Sequence, residues 1–169
     1  MDFKKGLGLF SLVALLSVFS AGCFDTPTEV ILASDAVKIP GLPQKYLSYT
    51  IIPVPGSNDY RYSKPAEAGE NALSGYARAL LLKDDIYIVQ TRDDNQPTYT
   101  IDFYKLVNNG GAVELKSAFP ANEFNPENFG VKWEIDDMGM ETIYGSRENI
   151  LAYLRAYAGT SFTVSANPG

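Results

Sequence analysis

From Tyr46 onward the chain reads as short runs of alternating apolar and polar residues, broken by turn formers. Tyr46 to Pro53 is β-branched and aromatic, which predicts a strand, and Pro53 stops it. Tyr60-Arg61-Tyr62 predicts a second, short strand. Ser63 to Ser74 is polar and Ala-rich, with room for a turn of helix between Ala66 and Leu73. Tyr76 to Leu82 and Ile86 to Thr91 flank Lys83-Asp84-Asp85 and predict a hairpin. The Ala and Leu content of the first arm also suits a helix; the tight acidic turn favours strand. Thr98 to Val107 alternates cleanly, with Tyr99, Ile101, Phe103 and Val107 on one face and Thr100, Asp102 and Tyr104 on the other. Asn108 to Gly111 tolerates positive φ and turns the chain into Ala112 to Lys116. Val131 to Asp136 is a further strand, with Val131, Trp133 and Ile135 on one face.

The period changes near the C-terminus. Ile150, Tyr153, Leu154 and Tyr157 recur at helical spacing. Ser146 can cap the first free N–H groups, Glu148 and Arg155 suit the two ends of the dipole, and Gly159 can stop the helix. Strands joined by hairpins and followed by one helix predict an α+β domain. Its sheet is expected to be mainly antiparallel, with about six to seven strands and the C-terminal helix packed on it.

The first residues follow another pattern. Lys4 and Lys5 precede an unbroken run of apolar and small residues from Gly6 to Phe19. Ser20, Ala21 and Gly22 are small, and Cys23 follows. A basic end, a short apolar run and a small-residue cleavage site describe a signal peptide over residues 1–22. The run is shorter than a membrane span needs. Ordinary secretory cleavage after Gly22 competes with any use of Cys23. That cysteine is the only one in the chain, so no internal disulfide exists.

Phe19-Ser20-Ala21-Gly22-Cys23 resembles the lipobox of bacterial lipoproteins. The resemblance covers residues 1–23 only, and Ser20 stands where that family usually has Leu. It implies that Cys23 becomes the first mature residue and carries a diacylglyceryl thioether, often with a further acyl chain such as palmitate on its amine. Two or more chains hold a protein stably on a membrane. The family often keeps Asp at the second mature position for inner-membrane retention. Phe24 stands there, with Asp25 one later, so the resemblance implies outer-membrane delivery, facing the periplasm. Three prolines punctuate the next stretch, so residues 23–44 read as a lipidated N-terminus and flexible tether, interrupted by apolar Val30-Ile31-Leu32, which can pack onto the domain. Residues 45–169 read as one globular domain.

Removing the first 22 of 169 residues leaves 147, enough for one domain with a real core. The whole chain has 14 basic and 20 acidic residues; without Lys4, Lys5 and Asp2 the remainder has 12 and 19, a net charge of −7. That argues against nucleic acid as a partner and against electrostatic docking on anionic lipid. The expected membrane contact is the acylated Cys23.

Histidine is absent. Ser-His-Asp and Cys-His catalysis and histidine zinc sites are therefore excluded, and no phosphate-binding or dinucleotide glycine motif occurs. Asp84-Asp85, Asp93-Asp94 and Asp136-Asp137 sit at expected strand ends, where Asp is a favoured turn residue and a calcium site is the competing reading. Asp102, Glu114 and Glu134 lie on strand faces and are the carboxylates a glycan hydrolase would draw on. Phe119, Phe124 and Phe129 fall in one Asn- and Pro-bearing stretch. They are candidate binding aromatics, against the alternative that they close the end of a small core.

The expected protein is thus a lipid-anchored envelope protein, not an enzyme, with no cofactor or metal, that binds or scaffolds a protein partner. A carrier of small apolar ligands, with an apolar cavity formed by the sheet and residues 146–157, is the second expectation, and a carboxylate-based glycan hydrolase the third. An aromatic-lined cavity of several hundred Å³ would favour the carrier, a flat exposed aromatic patch the partner binder, and two convergent buried carboxylates the enzyme.

Overall fold

Strict alternation in the middle of the chain builds the middle of a sheet. The computed structural model describes residues 23–66, 71–137 and 139–166. The leader, and most of the helical turn expected between Ala66 and Leu73, lie outside the described residues. Four long strands carry the architecture: β5 (Leu73–Lys83), β6 (Ile86–Asp93), β7 (Tyr99–Asn109) and β8 (Ala112–Pro120). They form consecutive antiparallel hairpins. Shorter strands extend them: β1 (Phe24–Thr26), β2 (Lys45–Tyr46), β3 (Tyr49–Pro53), β4 (Tyr60–Lys64), β9 (Lys132–Ile135), β10 (Glu141–Tyr144) and β11 (Phe162–Val164). One α-helix is described, α1 (Arg147–Ala156), continued by a 3-10 turn, Tyr157–Gly159.

The α+β class is as expected, but the sheet has 11 strands rather than six to seven. Its path runs β2-β3-β4-β5-β6-β7-β1-β10-β9, with β8 and then β11 leaving from β7. The extra strands are two to four residues long, too short for an alternation signal. The single strand expected over Tyr46–Pro53 is a tight hairpin, β2 and β3, turning at Leu47 and Ser48. Leu47 takes φ +53° there, a conformation leucine rarely adopts, so the sequence carries no turn signature.

The two faces of the sheet differ. On one, Ile86 and Ile88 of β6 and Ile101 and Phe103 of β7 pack beneath α1. Ile150, Leu151, Tyr153 and Leu154 fill the helix side. Burying each such side chain contributes about 1.5–3 kcal/mol. The helix forms where expected: the Ser146 side chain accepts from the Asn149 N–H at 3.2 Å.

Residues 24–44 are a correction. The tether expected over residues 23–44 is, from Phe24 on, built into the domain. Phe24 and Thr26 are buried in β1, which pairs with β7 antiparallel and with β10 in parallel. Val30 and Ile31 are fully buried. Their N–H groups donate to the Gln90 side-chain oxygen at 2.7 and 2.9 Å. Arg147 on α1 donates to the Val30 carbonyl and pairs with Asp35. The strap then crosses to the other face, where the Val37 N–H donates to Ala79 and the Ile39 N–H to the Tyr60 hydroxyl. The prolines shape a path rather than a linker; the apolar Val30-Ile31 pair supplies the burial that fixes it.

Candidate functional site

The second face of the sheet is hollow, and its sequence explains why. Along β5 the residues directed there are Gly75, Ala77 and Ala79. Tyr62 pairs directly with Gly75, and Tyr60 with Ala77. A Cβ at Gly75 would meet the Tyr62 hydroxyl at 2.4 Å and the Arg92 carbonyl at 2.2 Å, so only glycine lets Tyr62 lie across the strand. Small residues leave the floor low; large ones on either side rise around it. Tyr46 and Tyr49 of the β2–β3 hairpin, Tyr60 and Tyr62 of β4 and Tyr104 of β7 form the walls, with Val89 and Leu115 between them. The sheet curls until the Tyr46 hydroxyl donates to the Leu115 carbonyl of β8 at 2.9 Å. The result is a cavity of about 380 Å³. Leu47, 60 % exposed, and Leu73 stand at its rim.

Few polar groups interrupt this lining. The Tyr62 hydroxyl donates to the Asp93 carboxylate at 2.5 Å, and its ring meets Tyr49 edge-on at 6.0 Å. Burial pushes the Tyr62 phenol up, and the Asp93 contact adds to it. Asp102 is the other acid. It pairs with Val89 in the sheet and lines the cavity. Burial raises its pKa to about 6, opposed by a hydrogen bond from the Cys23 thiol and assisted by the charge of Asp25. Burial likewise pushes the Tyr104 phenol up, as does the neighbouring Asp102 charge. Arg78 touches the lining, but its guanidinium turns to Asp59 at 2.8 Å and to Glu29.

Cys23 belongs to this setting. Phe24 pairs with Ile101 and Asp25 with Thr100, so Cys23 stands beside Asp102 at the next step. Its thiol is half-buried, and burial together with Asp102 pushes its pKa up. β8 pairs with β7 as far as the Tyr104–Ser117 step, and β1 takes over from Ile101; Cys23 lies in the fork between them.

The other expected residues lie elsewhere. Phe124 and Phe129 meet edge-on at 6.4 Å and pack on the aromatic pair Tyr153 and Tyr157 at the end of the helix-side core, where Phe124 and the two tyrosines also border a cleft of about 440 Å³. Phe119 is separate: it lies in β8, opposite Thr163 of β11, not in a loop. Glu114 accepts from Asn109 near the β7–β8 turn, and Glu134 is exposed on β9, so neither joins Asp102. The three Asp pairs occupy turns or strand ends, where Asp94 accepts from Arg61 and Ser74 and Asp136 caps its own turn at Met140. Among the described residues, no group of three His, Cys, Asp or Glu is placed to hold a metal ion, and no helix is long and apolar enough to cross a membrane.

The tyrosine-lined cavity is on the face away from α1, whereas a carrier's cavity is expected between the sheet and residues 146–157, where a separate cleft of about 440 Å³ borders Tyr153 and Tyr157. The signal for the tyrosine-lined cavity was the small-residue alternation Gly75-Ala77-Ala79 inside an otherwise bulky strand, together with the abundance of tyrosine, 11 in the chain. No family model, curated protein or solved structure matches this chain.

Proposed function

We propose that this chain is a lipid-anchored envelope protein whose domain binds a small apolar ligand in the tyrosine-lined cavity. The observation that carries the reading is the cavity of about 380 Å³ between the curled sheet and the β2–β3 hairpin. Its size, its apolar lining and its few convergent polar groups match the general character of small-molecule sites. The floor of Gly75, Ala77 and Ala79 supports the same reading. Apolar strands ordinarily fill a face with large side chains, and these do not. Non-enzymatic binding fits a cavity in which, with Cys23 acylated, no base, nucleophile and polarising group converge among the described residues.

The anchor adds a direction. With lipid on Cys23, the acyl chains would leave the domain directly ahead of β1, beside Asp102 on the cavity wall. No spacer separates them from the sheet. That arrangement brings the cavity close to the bilayer, a source of apolar ligands. Two measurements test the reading. Full-length protein extracted from envelopes in mild detergent should carry a small apolar compound, detectable by native mass spectrometry. Ala77→Phe, which fills the floor, should carry none. Cys23→Ser should lose both radiolabelled palmitate and membrane association; label surviving in this variant would refute the anchor.

A second reading rests on the opposite edge of the molecule. β9 ends the sheet, and Trp133 and Ile135 on it are 44 % and 54 % exposed. An apolar, unpaired strand edge is a natural place for a protein partner to add a strand. Crosslinking in intact envelopes through a photoreactive residue at position 133 tests it. A single adduct band lost in Ile135→Lys supports it, and no adduct refutes it.

A further inference from the structure

We propose that the cavity selects a cationic amphiphile, its apolar body lying among the tyrosine rings and its amine or quaternary ammonium set against Asp102. This rests on the reading of the cavity as a ligand site. Three features of the lining lead there. The first is charge. Asp93 and Asp102 both line the cavity, and Arg78, the one cation among the described lining residues, is turned to Asp59 and Glu29. The groups that act on Asp102 are the Cys23 thiol and the Asp25 carboxylate, and Tyr104 stands beside it on β7; none of these is a cation. A buried carboxylate without a counter-charge is costly, and a ligand cation relieves the cost. An anionic ligand adds to it.

The second feature is the rings. Tyr46, Tyr49, Asp102 and Cys23 all lie close enough to the Tyr104 hydroxyl to act on it, and the three tyrosines and Asp102 line the same cavity. The acid and the aromatic walls therefore occupy one region of the cavity. Aromatic faces attract cations, and most strongly where water is excluded. The third is the anchor itself. The hydrogen bond that the Cys23 thiol gives Asp102 needs an S–H, and a thioether has none. In the acylated protein, Asp102 loses that donor and meets the cavity with less support. Neutral ligands gain from the rings and the apolar floor, but nothing from the carboxylate.

The test uses the full chain, purified with 3-fluorotyrosine in a non-ionic maltoside detergent. The fluorine resonances of Tyr46, Tyr62 and Tyr104 are assigned by substitution with Phe. Three probes of one shape are titrated at measured free concentrations: benzyltrimethylammonium, its uncharged carbon isostere neopentylbenzene, and the anion phenylmethanesulfonate. The cation should bind at least about tenfold tighter than the neutral isostere, as expected for a desolvated cation–aromatic contact with a carboxylate beside it. In Asp102→Asn, with an unchanged near-UV circular dichroism spectrum, that advantage should vanish while neutral binding persists. The advantage should also shrink as pH is lowered and Asp102 takes up its proton, at a pH above the value of about 6 that holds with the Cys23 thiol present. Equal or tighter binding of the neutral or anionic probe overturns the inference and leaves the cavity reading intact. Binding of none of the three overturns both.

Discussion

The two faces of this sheet share the same strands and have opposite interiors. On β7, Ile101 and Phe103 point into a solid core and are 0 % and 2 % exposed, while their neighbours Thr100, Asp102 and Tyr104 line a hollow. On β6 the division repeats: Ile86 and Ile88 face the helix, and Val89, Thr91 and Asp93 face the cavity. The helix side carries mainly branched aliphatics and aromatics, its few polar groups (Gln90 and the hydroxyl pair of Tyr153 and Tyr157) hydrogen-bonded within the protein, and α1 closes it. The tyrosine side has small residues in its middle and polar tips around them. Close packing is the default for a protein interior, so a hollow that is lined rather than filled has a cost in stability. A bound ligand, as proposed, would offset it.

The largest expected difference between the faces is in the cost of truncation. Phe103→Ala should lose about 3–5 kcal/mol in urea unfolding, because it opens a void beneath α1. Ile51→Ala on the cavity wall should lose about 1 kcal/mol, since its surroundings are already open. Similar losses at both positions would erase the distinction between a solid and a hollow face.

Next is the staple that carries the strap over the sheet. Gln90 is 3 % exposed and accepts from the Val30 and Ile31 N–H groups. Gln90→Leu leaves both buried donors unpaired and should cost about 2–3 kcal/mol. Hydrogen exchange at the amides of Val30 and Ile31 should accelerate in the same variant. Unchanged protection there would mean that the strap is held by other contacts.

Asp102 gives the next effect, of opposite sign. Its folded pKa, about 6, lies above the usual carboxylate value of 3.8, so the folded state holds the proton more tightly than the unfolded chain. The stability this provides is complete below pH ~4 and is lost as pH rises through ~6. Two pKa units, discounted for solvent screening, amount to about 2 kcal/mol. Asp102→Asn should therefore stabilise the protein by about that much at pH 7, flatten the slope between pH 4 and 6, and change little at pH 3.5. A variant less stable than wild type at pH 7 would show that the ionised carboxylate is better satisfied than its setting indicates.

The smallest effect is at the rim. Leu47 holds φ +53° while 60 % exposed, so it gains little from burial to offset its backbone strain. Leu47→Asn should raise stability by about 0.5–1 kcal/mol, because Asn tolerates that conformation. The same change should weaken binding of an apolar ligand. If binding is untouched, Leu47 is no part of the mouth.

Much of the solid face was legible in the sequence. The alternation of β7, the helical stripe of α1 and the Ser146 cap all stand where the pattern puts them. These features are local, and burial on one face enforces them. What was hidden depended on distant partners. β1 exists because Phe24 finds Ile101, and the strap because Val30 and Ile31 find Gln90 across some 60 residues of chain. Prolines and scattered polar residues disguised it as a linker. The β2–β3 turn at Leu47 uses a residue that no turn rule selects. The site was obscured in a different way. Phe119, Phe124 and Phe129 stand out in the sequence as loop aromatics; none of them lines the cavity of the hollow face, and Phe124 and Phe129 pack at the end of the helix-side core, Phe124 on a separate cleft. The cavity is marked instead by what is missing from β5, side-chain bulk at Gly75, Ala77 and Ala79, and no motif records an absence.

The difference between the faces can be read in one titration. Full-length protein labelled with 3-fluorotyrosine is titrated with neopentylbenzene, and an Ala77→Phe sample is run beside it. Tyr46, Tyr62 and Tyr104 report on the hollow face, and Tyr153 and Tyr157 on the helix side, where they border a separate cleft. Saturable shifts at the first three, none at the last two, and loss of the response in Ala77→Phe are the predicted result. Shifts centred on Tyr153 and Tyr157, or an undiminished response in Ala77→Phe, would contradict it.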